Sequence, residues 1–267
     1  MFDTSHFPVS DYIDGDAFEG LAIPGVSYYK TDHVKAALES HSVRGVLVTH
    51  NSDLGADAEL ASIGLVGSGI TYWFAQNVVV RHPKLIPIPI GLERKRWFPR
   101  LHKRDQLHDA AEKSLTTPSR FCLANFSLHT NRIEREKCRD RARPLSTMQV
   151  SETVYQETYE SYSRYLSEIL RHKFVLCPEG NGVDTHRLWE TLYLGRIPVV
   201  IRSPTTEAFK DLPMVVINSW DDLSPSMLED YWERFKSGEI SYDLAPLRMS
   251  YWRDLITIAA AEGRRAP

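Results

Sequence analysis

From residue 120 onwards, short runs of β-branched and other apolar residues alternate with segments of helical periodicity. The apolar runs are Arg120–Phe126, Lys173–Cys177, Ile197–Ile201 and Met214–Ile217, and the helical segments are Arg132–Asp140, Tyr155–Leu170, His186–Leu194 and Ser224–Lys236. Continuously apolar strands that alternate with helices are typical of a parallel sheet covered on both faces. This half of the chain is therefore predicted to form a doubly wound α/β lobe, which binds ligands at the carboxyl ends of its strands.

The first half of the chain carries a weaker version of the same pattern. Gly45–Thr49 is expected to be a buried strand, Val78–Val80 and Leu85–Ile90 are expected to be extended, and Val34–Ser40 is expected to be a helix. The length of 267 residues allows two compact lobes. The sequence therefore predicts a second open α/β lobe in this half.

A charged segment that ends in Thr116-Thr117-Pro118-Ser119 separates the two predicted lobes. Polar residues and proline at this place indicate the exit from a helix into a linker. We therefore expect an N-terminal lobe over residues 1–115 and a C-terminal lobe over residues 116–245. Residues 246–267 are expected to add a helix around Leu247–Ala261 that packs on one lobe or bridges both.

Charge and cysteine content narrow the functional classes. The formal net charge is −3, from 32 Lys+Arg and 35 Asp+Glu, so charge does not favour binding to unmodified nucleic acid or to an anionic membrane. Cys122, Cys138 and Cys177 are too few and too scattered for a disulfide framework or a cysteine-rich zinc site. Residues 1–19 lack the pattern of a signal peptide, and the sequence has no transmembrane segment. These features predict a cytoplasmic protein, and the inner face of the membrane stays open as its place of action.

The segment Lys173–Ile201 combines a predicted strand, a loop and the start of a helix. Asp184 or Thr185 is expected to cap that helix, and Gly195 to end it. Backbone N–H groups at such a helix start, together with the helix dipole, attract an anion such as a diphosphate. The loop itself contains Gly180, Asn181 and Gly182.

Three polar side chains follow in the first turns of this helix. Arg187 can pair with a phosphate through two donors, and Glu190 can accept hydrogen bonds from ribose hydroxyls. His186 lies one turn from Glu190. The alternative is a structural turn with a surface Arg–Glu pair, since the glycine spacing matches neither the dinucleotide fingerprint nor the Walker loop.

The run CPEGNGVDTHRLWETLYLGRIPVVI at 177–201 resembles the donor-binding motif of exostosin-like glycosyltransferases. Further segments resemble bacterial and viral relatives of that family in the same order: THNSD at 49–53, WFAQN at 73–77, HPKLIPIPIGLE at 82–93 and ANFSLHTNRIER at 124–135. The resemblance implies an α/β protein of the GT-B type, in which two Rossmann-like lobes with parallel sheets face a central cleft. It also implies an inverting, metal-independent enzyme that holds its donor on the second lobe and its acceptor on the first.

The donor site is predicted to include an asparagine and an arginine that flank the loop after the first strand of the second lobe. This arginine, Arg132, is expected to reach the diphosphate from the side opposite Arg187, and the alternative is a solvated position at a helix start. The predicted donor-binding residues are Asn125, Arg132, Gly180, Asn181, Gly182, Thr185, His186, Arg187 and Glu190.

Polar residues directly after the Gly45–Thr49 strand are expected to face the cleft and the acceptor. The alternative for this segment is a turn or a helix cap. Asp53 or His50 is the predicted general base, with Glu93 in reserve. The predicted acceptor-binding residues are Asn51 and Ser52, together with Gln76 and Asn77, for which capping or turn roles are the alternative.

The predicted reaction moves a hexose or pentose from a nucleoside diphosphate sugar to an acceptor hydroxyl, such as that of a glycan, without an essential metal or other cofactor. An Asp-x-Asp occurs at Asp14-Gly15-Asp16, far from the donor motif. A catalytically silent nucleotide-sugar-binding or scaffold protein is the alternative. An NAD-dependent oxidoreductase is disfavoured, because no predicted strand is followed by Gly-x-Gly-x-x-Gly.

Overall fold

The computed structural model of the protein describes residues 1–97, 99–151 and 156–263. The strands are β1 (Val26–Lys30), β2 (Arg44–His50), β3 (Gly69–Ala75), β4 (Leu85–Pro87), β5 (Arg120–Asn125), β6 (Met148–Ser151), β7 (His172–Leu176), β8 (Ile197–Ile201) and β9 (Val215–Ile217). The α-helices are α1 (Gly15–Glu19), α2 (Lys35–Glu39), α3 (Ala58–Leu65), α4 (Lys103–Ala111), α5 (Arg132–Ala142), α6 (Tyr159–Arg171), α7 (His186–Tyr193), α8 (Pro204–Ala208), α9 (Pro225–Lys236) and α10 (Met249–Gly263). Single 3₁₀ turns span Val9–Asp11, Thr31–His33, Trp220–Asp222 and Ala245–Leu247.

The strands form two separate sheets in which every pairing is parallel. The first sheet has the order β1-β2-β3-β4, and the second has the order β6-β5-β7-β8-β9. Helices lie between most successive strands, as is usual for parallel pairing, whereas a loop over residues 76–84 joins β3 to β4. The prediction of an α/β protein with two Rossmann-like lobes is therefore confirmed.

The central strands of the first sheet are buried on both faces. Val46, Val48 and Phe74 join a hydrophobic core that continues into the second lobe. Leu47 and Trp73 point to the opposite face and belong to a smaller core beneath α2 and α3. Because strand side chains alternate between faces, one apolar run supplies both cores.

The two ends of the chain pack far from their sequence neighbours. The Phe2 ring packs edge-on against Phe235 of α9, with ring centroids 6.3 Å apart. At the other end, α10 packs on β2 and β3 of the first sheet, and its Trp252 contacts the ring of Phe209. The predicted division at residue 116 stays a prediction, and residues 264–267 of the predicted C-terminal helix lie outside the described residues.

Most expected elements of the second lobe match the structure within three residues at either end, apart from the start of α6. The expected Tyr155–Leu170 helix begins at Tyr159, and Tyr155 lies outside the described residues. In the first lobe the expected extended segment Val78–Val80 is wrong, because these residues form a loop after β3. The left-handed backbone of Asn77, with φ 54°, ends the strand before them.

In the part of the chain that the structure describes, no helix combines the length and the apolar composition that a membrane crossing needs.

Candidate active site

Two adjoining cavities lie at the carboxyl ends of strands from both sheets. The first, called here the arginine cavity, has a volume of ≈ 340 Å³ and is lined by Asp53, Ile90, Glu93, Lys103, Ser127, Thr130, Arg135, Ser161, Tyr162, Tyr165, Gly180, Asn181, Gly182, Asp184, Thr185, His186, Arg187 and Glu190. The second, the carboxylate cavity, has a volume of ≈ 400 Å³ and is lined by Gly15, Asp32, His50, Asn51, Ser52, Asp53, Gln76, Ile90, Leu92, Glu93, Arg94, Trp97 and His186. Asp53, Ile90, Glu93 and His186 line both cavities and form a shared wall between them.

The loop between β7 and α7 forms one side of the arginine cavity. One of its glycines lies where a side chain would collide with a neighbour. A Cβ atom at Gly182 would lie 2.3 Å from Asn77 Nδ2, whereas a Cβ atom at Gly180 would lie 3.0 Å from Arg135 Nη2, at the end of a flexible side chain. The Gly182 position therefore favours glycine, which lets the loop approach Asn77 closely.

The start of α7 differs in one detail from the sequence prediction. Thr185 is the N-cap residue, but its side chain makes no capping hydrogen bond. Asp184 does not cap the helix either, because its carboxylate accepts hydrogen bonds from Ile90 N at 2.7 Å and from Trp189 Nε1 at 2.9 Å. Burial raises the pKa of Asp184 to about 6. Asp184 therefore ties the loop after β4 to α7, and Gly195, with φ 67°, ends the helix as predicted.

Two arginines meet at one end of the arginine cavity. The Nη1 of Arg187 is buried and has no hydrogen-bond partner among the described residues, and its guanidinium lies 5.1 Å from the centre of the Tyr165 ring. Arg135 donates to the backbone carbonyls of Glu179 at 3.0 Å and Ser127 at 2.7 Å. Burial and the nearby charge of Arg187 lower the pKa of Arg135 to about 10. The Arg135 guanidinium is therefore still cationic at neutral pH.

Arg132 and Asn125 lie outside the residues that line the arginine cavity. Arg132 has a side chain that is 75% exposed, and it pairs with Glu136 one helical turn away. Of the two arginines at the start of α5, the one that lines the cavity is Arg135. Asn125 is buried, and its Oδ1 has no hydrogen-bond partner among the described residues.

Glu190 closes the inner end of the arginine cavity with two tyrosines from α6. The hydroxyl of Tyr162 donates to Oε1 and that of Tyr165 to Oε2, each at 2.8 Å. Each carboxylate oxygen keeps a further lone pair that a ligand hydroxyl can use. Tyr165 thus contacts both Glu190 and Arg187 and fixes their spacing.

The predicted acceptor-binding residues form a hydrogen-bonded group at the ends of β2 and β3. Asn51, with φ 63°, donates its backbone N–H to Gln76 Oε1 at 2.9 Å, and Gln76 Nε2 donates to the Ser52 carbonyl at 2.7 Å. Asn77 Oδ1 accepts from Asp184 N at 2.9 Å. Asn51, Ser52 and Gln76 line the carboxylate cavity, whereas Asn77 joins the strand end to the glycine loop.

Three titratable side chains stand on the shared wall. Asp53 Oδ2 accepts a hydrogen bond from Asn181 Nδ2 at 2.9 Å, which joins the loop after β2 to the glycine loop. Glu93 forms an ion pair with Lys103. His186 Nδ1 lies 2.8 Å from the carbonyl oxygen of Gly91. The wall between the cavities therefore carries two carboxylates and one imidazole.

His50 lies at the back of the carboxylate cavity and is 1% exposed. Its Nε2 is 3.0 Å from the carbonyl oxygen of Pro89, and its ring stacks on Phe18 at 5.0 Å. Burial lowers the pKa of His50 to about 4. The imidazole is therefore neutral at pH 7 and a weak base in the folded protein.

The buried His50 predicts a loss of stability on mild acidification. An unfolded histidine has a pKa near 6.5, whereas folded His50 has a pKa of about 4, so between these pH values the unfolded chain binds one more proton than the folded protein. The free energy of unfolding therefore falls as the pH falls through this range. From pH 7 to pH 5, the wild type should lose about 2 kcal/mol more unfolding free energy than His50→Gln. Urea denaturation at both pH values measures the difference, and equal losses in the two proteins would contradict the neutral buried imidazole.

Cysteine chemistry is not available at this site. Cys177 ends the run before the glycine loop, and burial raises the pKa of its thiol to about 12. Over residues 1–97, 99–151 and 156–263, no three His, Cys, Asp or Glu side chains are grouped so that they could hold a metal ion.

Nine residues that line the arginine cavity were absent from the predicted site: Ile90, Lys103, Ser127, Thr130, Arg135, Ser161, Tyr162, Tyr165 and Asp184. Arg135 lies three residues after Arg132 in the ANFSLHTNRIER segment, whereas the sequence prediction named Arg132. The tyrosines lie on α6, and no local sequence signal distinguishes them from core residues.

One family model matches part of the second lobe. Residues 135–237 match the family model of the RXYLT1 C-terminal domain, a xylosyltransferase family related to the exostosins. The match begins at Arg135 and includes the whole glycine loop and α7, and it covers less than half of the chain. No curated protein sequence matches the chain.

Proposed function

We propose that the protein is a glycosyltransferase that moves a sugar from a nucleoside diphosphate sugar in the arginine cavity to an acceptor hydroxyl in the carboxylate cavity. The observation that carries this proposal is the buried, unpartnered Nη1 of Arg187 beside a second cation, Arg135. Holding two partly buried like charges side by side costs free energy, and an anion bound between them offsets that cost. A diphosphate supplies such an anion.

The charges along the cavity support this position for the diphosphate. Asp184 is held by Ile90 and Trp189, Glu93 is paired with Lys103, and Glu190 accepts from two tyrosines. Each carboxylate thus has its own partner, while the arginine end has no carboxylate bound to it among the described residues. The N–H groups at the start of α7 add further positive potential at that end.

The remaining part of the donor is proposed to extend away from the arginines. Glu190 and Tyr165 are suited to ribose hydroxyls, because a carboxylate accepts and a phenol hydroxyl both donates and accepts. The sugar is proposed to lie toward the shared wall, near Asn181 and His186. In this arrangement the anomeric carbon faces the carboxylate cavity, where Asn51, Ser52 and Gln76 are proposed to bind the acceptor.

The proposed mechanism is a direct displacement that inverts the anomeric centre. A base on the shared wall removes the acceptor proton while Arg135 and Arg187 stabilise the charge that develops on the departing diphosphate. Since cationic side chains meet this charge, activity is proposed to be independent of a divalent metal. The family match to a glycosyltransferase-related domain favours this reading over an unrelated phosphate-binding protein.

A thermal-shift screen of nucleotide sugars, run with and without EDTA, tests the proposed function. A ligand at 100 times its dissociation constant should add about 2.7 kcal/mol to the unfolding free energy. We expect at least one nucleoside diphosphate sugar to stabilise the protein, equally well in EDTA, and to be converted slowly to free nucleoside diphosphate. Failure of every nucleotide sugar would contradict the donor site. Binding without any conversion would instead favour a catalytically silent nucleotide-sugar-binding or scaffold protein.

A further inference from the structure

His186 is the shared-wall side chain whose hydrogen bond fixes the tautomer of its neutral ring. Its Nδ1 lies 2.8 Å from the carbonyl oxygen of Gly91, and a carbonyl oxygen only accepts, so Nδ1 carries the hydrogen. In the neutral ring the lone pair then resides on Nε2. No described residue forms a hydrogen bond with that Nε2, so it is available to a ligand.

His186 also lies at the boundary between the proposed donor and acceptor sites. His186 is the first residue of α7, next to Arg187 in sequence, and it lines both cavities. A group at this place lies beside the diphosphate site and also faces the acceptor side. A general base in a displacement reaction has to occupy such a boundary, because it contacts the hydroxyl that attacks the donor.

The three predicted bases meet these requirements less well. His50 is 1% exposed, with Nε2 against the Pro89 carbonyl and Nδ1 against Asn51 Oδ1 at 3.2 Å. The Glu93 carboxylate is engaged by the Lys103 ammonium. Asp53 lies on the shared wall, but its Oδ2 accepts from Asn181 and so helps to hold the glycine loop.

We propose that His186 Nε2 is the general base of the transfer reaction. The acceptor hydroxyl gives its proton to Nε2, and its oxygen forms the new bond to the anomeric carbon of the sugar. The bond from that carbon to the diphosphate oxygen breaks, and the nucleoside diphosphate leaves with the electron pair. The imidazolium that results keeps its Nδ1–H bond to Gly91 and returns the proton to solvent after the product departs. This assignment rests on the proposed function.

His186→Asn is the variant that tests the assignment, because an asparagine amide can still donate to the Gly91 carbonyl but has no basic nitrogen. The assay uses the nucleotide sugar that gives the largest thermal shift, with water as the acceptor. We expect release of nucleoside diphosphate to fall about 10²–10⁴-fold. Affinity for the same nucleotide sugar should change less than about 3-fold, since a removed base need not weaken ground-state binding. Added imidazole should restore part of the lost rate.

His6→Asn, at an exposed histidine in the N-terminal segment, is the matched control and should keep the wild-type rate.

Different outcomes separate this assignment from the proposed function. If His186→Asn keeps a rate within about 3-fold of wild type while Asp53→Asn loses its rate, Asp53 is the base and the assignment is overturned. A loss of rate in His186→Asn that imidazole does not restore, accompanied by an equal loss of affinity, would also overturn it. Wild-type protein that binds no nucleotide sugar would contradict the proposed function itself. Wild-type protein that binds a nucleotide sugar but never releases nucleoside diphosphate would overturn the assignment of His186 as a base, because no reaction would then take place.

Discussion

Arg187→Ala and Arg135→Ala should each weaken binding of the nucleotide sugar by about 10–150-fold, because a hydrogen bond to a charged group contributes about 1.5–3 kcal/mol. Isothermal titration of each variant measures the loss. Inorganic diphosphate should lose affinity to a similar extent, since both arginines are proposed to contact phosphate. The ligand-free Arg187→Ala protein should be at least as stable as the wild type, because the substitution removes one of two neighbouring, partly buried cations.

Arg132→Ala is the matched control for this prediction. Arg132 lies on the same helix as Arg135, but its side chain is 75% exposed and pairs only with Glu136 in the described structure. Its replacement should leave donor affinity within about 2-fold of the wild type, because exposed ion pairs contribute little. If Arg132→Ala lost as much affinity as Arg135→Ala, the diphosphate would lie outside the arginine cavity, nearer the position that the sequence alone suggested.

Arg196→Met should lower the free energy of unfolding by about 3–5 kcal/mol. Arg196 is fully buried, and its guanidinium donates to the backbone carbonyls of Leu170 at 2.9 Å, Ser114 at 2.5 Å and Thr116 at 3.0 Å. Burial lowers the pKa of Arg196 to about 10, so the group stays charged at neutral pH. Methionine fills a similar volume but leaves several buried carbonyls without a donor, at a cost of about 1–3 kcal/mol each.

Urea denaturation of Arg196→Met and Arg202→Ala provides the comparison. Arg202 contacts Asn218 and Glu207 at the surface, with a side chain that is 48% exposed, so its loss should cost less than about 1 kcal/mol. If Arg196→Met also lost less than about 1 kcal/mol, the carbonyls around Arg196 would not depend on its guanidinium. A loss of about 3–5 kcal/mol in Arg196→Met would show that the Arg196 guanidinium holds residues 114–116 against the second lobe.

The sequence predicted four of the five strands of the second lobe because these are short apolar runs, whereas β6 was missed. Ile197–Ile201 was predicted with its observed limits, since five apolar residues follow a helix that ends at Gly195. In contrast, β1 and β3 were missed, because VSYYK and GITYWFA mix polar and apolar residues. β1 is an edge strand with every residue only partly buried, so its sequence shows no strong apolar signal.

Sequence-local parts of the candidate site could be predicted, whereas the parts that depend on packing between distant elements could not. The glycine loop and the start of α7 were found because strand, loop and helix follow one another in the sequence. Arg135, Tyr162 and Tyr165 reach the cavity only through the packing of α5 and α6 beside α7, and sequence spacing does not report that packing. His186 was placed in the donor site, whereas its contact with Gly91 and its place on the shared wall emerge only from the fold.

A crystal structure of the protein with the nucleoside diphosphate that stabilises it most is the most direct test of the proposed donor site. This donor site predicts phosphate oxygens at about 3 Å from the guanidinium nitrogens of both Arg135 and Arg187, with Arg187 Nη1 now hydrogen-bonded. A diphosphate bound elsewhere, with Arg187 Nη1 still lacking a partner, would contradict it.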